Sequence, residues 1–387
     1  MYGLDDDADL EGEPFGLSGF DFDAAFAELA PEEQAEIERY VNSIRRPLQS
    51  GDPRRHHFVP QRYQRRFARD DKICRVSFDE PERIDELKTI DNAVVKDLYT
   101  IIDKEIGETV VVERLLATID AAAGAPMDRL ILGVLFPPQT KDRMDLAMFI
   151  AMLYVRGPHH RRKTEALADM IHKAPWQGIR TRAEMRERLG WMNDGAGPTE
   201  DELCQAFDMV QHLDEWEVVP HQNDHIRLML ELAVGLAPYL LNRYWSICRL
   251  PVPGLFTSDS PIIRYQKPQS RVAGYGVGIG NADEIWLPLD RQTVLMLHSE
   301  EIIGERIIPA DDEYGIDQFN QMTVNHAVDE VYFHPDDRHR LTKVDLQPRD
   351  RPVSLVNGGG GIGLLTDGIN GSPSRRKAHR YRSDRSR

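Results

Sequence analysis

His225-Ile-Arg-Leu-Met-Leu-Glu-Leu-Ala-Val-Gly-Leu-Ala-Pro-Tyr-Leu-Leu241, followed by Asn242-Arg-Tyr-Trp-Ser-Ile-Cys-Arg-Leu250, is where the pattern of this chain changes. The first run is apolar over a length that suits a helix, with Pro238 expected to kink or end it. Beyond it the apolar runs shorten. Trp245–Leu250, Ile262–Tyr265, Ile285–Leu289 and Thr293–Leu297 are separated by Gly, Pro and Asp and read as strands. Upstream the signals are helical. Val110 to Ala123 reads as a helix closed by Gly124, and Asp142 to Arg156 is apolar nearly all round, as in a buried helix too short for a bilayer. Thr181 with Glu184 and Thr199 with Glu202 are capping-box pairs, with Gly190 and the region of Trp216 as the expected stops. Phe319 to Val331 reads as a last helix. This order predicts an α+β fold, with a mostly helical core and a small C-terminal mixed or antiparallel sheet.

The ends differ from the middle. Residues 1–20 are acidic, hold little to bury, and read as a disordered arm. Residues 21–50 read as an N-terminal helix. Pro31, Glu32 and Glu33 suit its first turn, and Ile37, Tyr40, Val41 and Ile44 follow helical spacing. Residues 357–387 read as a glycine-rich linker and a basic tail, which from Arg375 holds seven Lys/Arg against one Asp. The domain proper is expected over residues 54–345. The chain has 387 residues and a formal net charge of −16, so an extended basic face for duplex binding is not expected. Three scattered cysteines exclude a disulfide framework and a CxxC metal site. There is no charged-then-apolar leader and no long apolar run, so a cytoplasmic protein with no membrane partner is expected.

Arg54-Arg-His-His-Phe-Val-Pro-Gln-Arg-Tyr-Gln-Arg-Arg-Phe-Ala68 is the most distinctive stretch. It resembles the opening signature of the DUF4238 family, which reads His-His-(aromatic)-Val-Pro-Gln, then Tyr, then Arg-x-Phe-Ala. Other pieces resemble that family in its order. They are Val112-Glu-Arg-Leu-Leu-Ala-Thr-Ile119, Phe149-Ile-Ala-Met-Leu-Tyr-Val-Arg-Gly-Pro158, Thr257-Ser-Asp-Ser-Pro261, Ile285-Trp-Leu-Pro-Leu289 and Asn320 to Tyr332. The resemblance spans about residues 54 to 333. It departs at Gln64, where Leu is expected, and both arms are additions. The family is one of unknown function, so the resemblance implies a common fold and a shared site without naming a reaction.

The residues themselves suggest where that site lies. Six arginines (54, 55, 62, 65, 66, 69) flank His56 and His57 with no acid before Asp70. Guanidinium groups suit phosphate or carboxylate, and imidazole serves as acid, base or metal ligand near neutrality. Arg54, Arg55, His56 and Arg156 are therefore the expected binding residues. His57 and Asp259 are the expected catalytic pair, Asp259 orienting the imidazole from a strand end. Glu113 and Gln61 would stand behind them. The alternative for the arginines is pairing with internal carboxylates. The alternative for Asp259, set between serines and before Pro261, is an Asx- or ST-type turn. Arg156-Gly-Pro-His-His-Arg-Arg-Lys163 is a second basic cluster just past a buried helix. Two functions compete. One is a phosphodiester hydrolase acting on nucleic acid, for which a divalent metal is a compatible cofactor. The other is a non-catalytic module that binds nucleic acid or a small anionic ligand, or a structural interaction protein.

Overall fold

The architecture is described from a computed structural model, over residues 30–134, 136–192, 198–271, 276–301, 304–307, 313–347, 355–358, 361–364 and 379–381. The acidic arm 1–20 lies outside these residues.

The chain enters through α1 (Pro31–Ile44), which packs against α3 (Val111–Leu132). Between them lie six short strands and the one-turn helix α2 (Gln61–Gln64). α4 (Thr140–Val155) sits between α3 and α8 (Gln222–Leu241), which explains why its apolar residues show no polar face. α5 (Pro158–Lys173) follows, with Pro158 in its first turn, then α6 (Arg182–Met192) and α7 (Glu200–Gln211). Both capping boxes form. Glu184 accepts from the Thr181 N–H at 3.0 Å, and Glu202 from the Thr199 N–H at 2.8 Å. α9 (Glu313–His326) closes the helical set.

The expected change near residue 245 is present. β8 (Tyr244–Arg249), β10 (Ile263–Tyr265), β11 (Glu284–Pro288), β12 (Thr293–His298) and β13 (Gly304–Ile307) form one sheet in the order β10-β11-β12-β8-β13. Its pairs are antiparallel except β13 with β8, so the sheet is mixed. Cross-strand neighbours Trp245 with Leu297 and Ile247 with Leu295 share one face. That face joins the helices in a core running from Phe58 to Tyr332. Helix and sheet halves therefore bury their apolar surface together.

Four local expectations are corrected. α3 runs through Gly124 and Pro126 and ends at Gly133, whose φ of 67° suits glycine. A Cβ at Gly124 would lie 2.3 Å from the Arg62 guanidinium carbon, the far end of an exposed side chain that can turn aside. α6 continues past Gly190 to Met192. The last helix stops at His326, and Val331 belongs to strand β14 (Glu330–Phe333). Strands also occur well before residue 245. β2 (Lys72–Ser77) and β3 (Glu80–Lys88) join β14 and β9 (Thr257–Ser258) in a second sheet, in the order β3-β2-β14-β9. Tyr63 ties the two sheets, its hydroxyl 2.9 Å from Thr257 Oγ1 and donating to Pro288 O at 2.7 Å.

Gln64 is fully buried where an apolar residue was expected. Its amide donates to Val59 O at 2.7 Å, and its Oε1 accepts from Asn92 Nδ2 at 2.9 Å. Within 357–387 there is local pairing, Leu355–Gly358 with Gly361–Leu364 and His379–Tyr381 with β7 (Trp216–Val218).

Candidate functional site

The motif at 54–69 begins with β1 (Arg55–His57), which pairs antiparallel with β4 (Val94–Lys96), His57 opposite Val94. Ala93 and Asp97 flank β4 with φ of 54° and 56°. Left-handed backbone costs a non-glycine residue about 1–2 kcal/mol. It is held by two hydrogen bonds, Phe58 N–H to Ala93 O at 3.0 Å and Asp97 N–H to Arg54 O at 2.7 Å. The histidine pair is thus set on a rigid, strained base.

The two histidines part ways. His56 is fully buried and accepts the Tyr99 N–H on Nδ1 at 2.8 Å, so Nε2 carries the proton toward Pro53 O at 3.1 Å. Its ring stacks on Tyr99, and burial pushes its pKa down. Both nitrogens are occupied, so His56 holds the fold rather than a ligand. His57 is half-buried. Burial lowers its pKa against the backbone of Thr89 and Ile90, which favours the proton, and Nε2 has no hydrogen-bond partner among the described residues. Gln61, with its amide oxygen turned to the Ile90 N–H at 3.2 Å, braces the same stretch.

The arginines of this segment are engaged. Arg54 pairs with Asp97 at 2.6 Å and Glu108 at 3.2 Å, and Arg55 with Asp91 at 2.8 Å. Arg62 and Arg66 share Asp128, Arg65 meets Asp71, and Arg69 meets Asp336. Internal pairing, one of the two sequence readings, is what the fold provides.

The local turn at this motif is made by Ser258, whose Oγ accepts the Ser260 N–H at 3.1 Å, and Asp259 takes a long-range duty instead. Its carboxylate accepts three backbone N–H groups, from Val328 at 2.8 Å, Asp329 at 2.5 Å and Glu330 at 3.2 Å, and so fixes the chain entering β14. Three such donors stabilise a carboxylate strongly in place. His57 and Asp259 are therefore anchored by different elements, His57 by β4 and the Thr89–Ile90 backbone and Asp259 by the turn before β14.

What the fold brings together is a different set. Arg156 closes α4 and its side chain is only 1% exposed. Nε donates to Phe58 O at 3.0 Å, and Nη1 donates to both oxygens of Asp120 at 3.0 and 3.2 Å. Nη2 has no hydrogen-bond partner among the described residues. Its backbone carbonyl accepts from the Tyr99 hydroxyl at 2.9 Å. Glu113 and Asp120 lie seven residues apart on α3, two turns along one face. Burial pushes Glu113 up to about 7. The Asp120 charge acts in the same direction, and Arg156 opposes both. Burial raises Asp120 as well, against its bond to Arg156. The Asp120 side chain is 22% exposed, so the cluster reaches solvent on that side.

Glu113, Arg156 and His57 were legible as candidates; Asp120 and Tyr99 were missed. The glutamate-bearing motif ends at Ile119, one residue short of Asp120, and the signal was the seven-residue spacing from Glu113. Tyr99 has no local pattern that marks it. Among the described residues no group of three or more His, Cys, Asp or Glu is placed to hold a metal. Nor is any helix among them long and apolar enough to cross a membrane.

The family described as a protein of unknown function (DUF4238) matches residues 55–337. Neither a curated protein nor a solved structure matches the chain.

Proposed function

This chain belongs to the DUF4238 family, and from its Arg156 cluster we propose that it is a hydrolase of phosphate esters, Glu113 moving the proton and Arg156 holding the phosphoryl oxygens. The observation that carries the reading is Glu113, a carboxyl that titrates near neutrality beside a guanidinium with one uncommitted nitrogen. A general acid or base works best with its pKa near the working pH. In hydrolysis the Glu113 carboxylate takes a proton from water as the water oxygen bonds to phosphorus. The ester P–O bond breaks, and the carboxylic acid returns the proton to the departing alkoxide. Arg156 balances the charge on the phosphoryl oxygens. Asp120 is a positioning residue that fixes the guanidinium plane, and His57 Nε2 is a further hydrogen-bonding group for the phosphate. Asp259 takes no part, since its carboxylate is committed to three backbone N–H groups. The arginines at 54–69 offer no row of free cations, which favours a small diester or a strand end over a duplex.

The second reading is a module that binds a small anion without turning it over. It is favoured by the depth of Arg156, which an anion would satisfy with no chemistry at all.

Hydrolysis of bis(p-nitrophenyl) phosphate, followed from acid to alkaline pH, separates the two. We expect turnover by the wild type, and a fall in kcat of about a hundredfold or more in Glu113→Gln with far-UV circular dichroism unchanged. Equal turnover in Glu113→Gln removes Glu113 from the mechanism. A wild type that binds phosphate but turns nothing over leaves only the second reading.

A further inference from the structure

The second basic cluster, Arg156 to Lys163, takes no part in the proposed chemistry apart from Arg156. It borders a cavity of about 30 Å³ at the first turn of α5, whose wall includes Arg156, Gly157, His160, Thr164, His225 and Met229. That space holds about two waters, or one tetrahedral oxyanion in their place.

The wall is largely apolar, with Val155, Ile226 and Met229, but it carries polar nitrogens. Arg156 Nη2 and His160 Nε2 are buried and without hydrogen-bond partners among the described residues, while His225 Nε2 faces the Glu165 carboxylate at 3.4 Å. Arg156 and His225 have side chains 1% and 5% exposed. Buried donors left unpaired are costly, a charged one most of all. Two such nitrogens on one cavity suggest an occupant that accepts hydrogen bonds.

The local charge fixes the sign of that occupant. Lys163, Arg264 and His225 all act on His160 in the direction of a positive potential. The first turn of a sixteen-residue helix adds its positive end. Two carboxylates lie close, and both have partners. Glu165 accepts from Arg161 at 3.3 Å and stands 3.4 Å from His225 Nε2, and Asp120 is held by Arg156 Nη1.

We propose that this cavity is a binding site for a single tetrahedral oxyanion of phosphate size, with hydrogen bonds from Arg156 Nη2 and His160 Nε2. The site shares Arg156 with the hydrolase reading but does not need it to hold, because occupancy requires no turnover and Glu113 is not part of the wall. Burial holds the His160 pKa down, and a neutral imidazole with its proton on Nε2 still donates, so the site works at neutral pH without protonated His160.

The test uses the full chain and inorganic phosphate, with chloride at equal ionic strength as the reference. Phosphate should raise the melting temperature and bind saturably by titration calorimetry, and sulfate should compete. His160→Phe keeps the ring volume and removes the donor, and should weaken phosphate binding about tenfold or more. Thr164→Leu, one turn further along the same helix, fills the cavity without replacing His160 and should do the same, which covers the case that His160→Phe fails to fold. Glu113→Gln should bind phosphate as the wild type does. No phosphate effect beyond that of chloride, or one that survives both cavity variants, overturns the proposal. Loss of hydrolysis with phosphate binding intact would count against the hydrolase alone.

Discussion

The six arginines between 54 and 69 and the single Arg156 carry the same charge and meet carboxylates in both places. Five of the six differ from Arg156 in surroundings, their side chains 41–56% exposed against 1%, while Arg66 at 11% is the exception. Arg55 and Asp91 are 56% and 46% exposed, and Arg65 with Asp71 is similar. Pairs of that kind contribute about 0–1 kcal/mol and weaken with salt. Arg156 is buried against Asp120, Phe58 O and the face of Phe149. There the ion pair is made against a desolvation cost, and removing one partner strands the other. A dense row of arginines in the sequence is thus electrostatically quiet here, whereas one arginine at a helix end organises a site.

The contrast breaks most directly at Arg156. Arg156→Ala leaves Asp120 without its cation and Phe58 O without its donor. We expect a loss of about 3–5 kcal/mol in urea denaturation. A loss under about 1 kcal/mol would place Arg156 in the class of the exposed row and remove the reason for treating its surroundings as special.

Glu113 sharpens the same contrast through pH. In the fold its carboxyl titrates at about 7, above the value near 4.3 expected of an unfolded chain. The folded state therefore keeps a proton that the unfolded state releases between those values. The stability this contributes is full below the unfolded value and is lost as pH rises through about 7. Glu113→Gln cannot lose that proton. Its unfolding free energy should match that of the wild type in acid and exceed it in mild alkali, by about 1–2 kcal/mol after allowance for partial exposure. Parallel curves for the two proteins would mean that burial does not act on Glu113, and the proton carrier of the hydrolase reading would go with it.

Features with local causes were legible in the sequence. The capping boxes at Thr181 and Thr199 need only four consecutive residues, and the strands after 244 announce themselves as short apolar runs. Features with distant causes were not. Glu80–Lys88 is dense in charge and contains Pro81, yet it is an edge strand because β2 offers it a ladder. α3 passes Gly124 and Pro126 because Met127 and Leu130 beyond them are buried in the shared core. The same division runs through the site. Arg156 stood out because it ends an apolar helix before Gly-Pro. Asp120 is an ordinary helical aspartate until the fold places Arg156 beside it. A turn at this motif was readable from its serines and Pro261, and Ser258 makes it; that Asp259 instead reaches three N–H groups some seventy residues away was not.

The smallest expected effect tests the quiet half of the comparison. Arg55 donates from Nη1 to Asp91 at 2.8 Å, and both groups stand in solvent. Water already solvates each charge, so little is gained on pairing and little is exposed on separation. Arg55→Ala should therefore shift stability by no more than about 0.5 kcal/mol. A double-mutant cycle with Asp91→Ala should give a coupling of about 0.2–1 kcal/mol that shrinks as salt is added. A coupling above about 2 kcal/mol, insensitive to salt, would mean that the β1–β4 surface is shielded from water. The motif at 54–69 would then have to be regarded as a second buried charge network, and the distinction between its arginines and Arg156 would no longer rest on solvent.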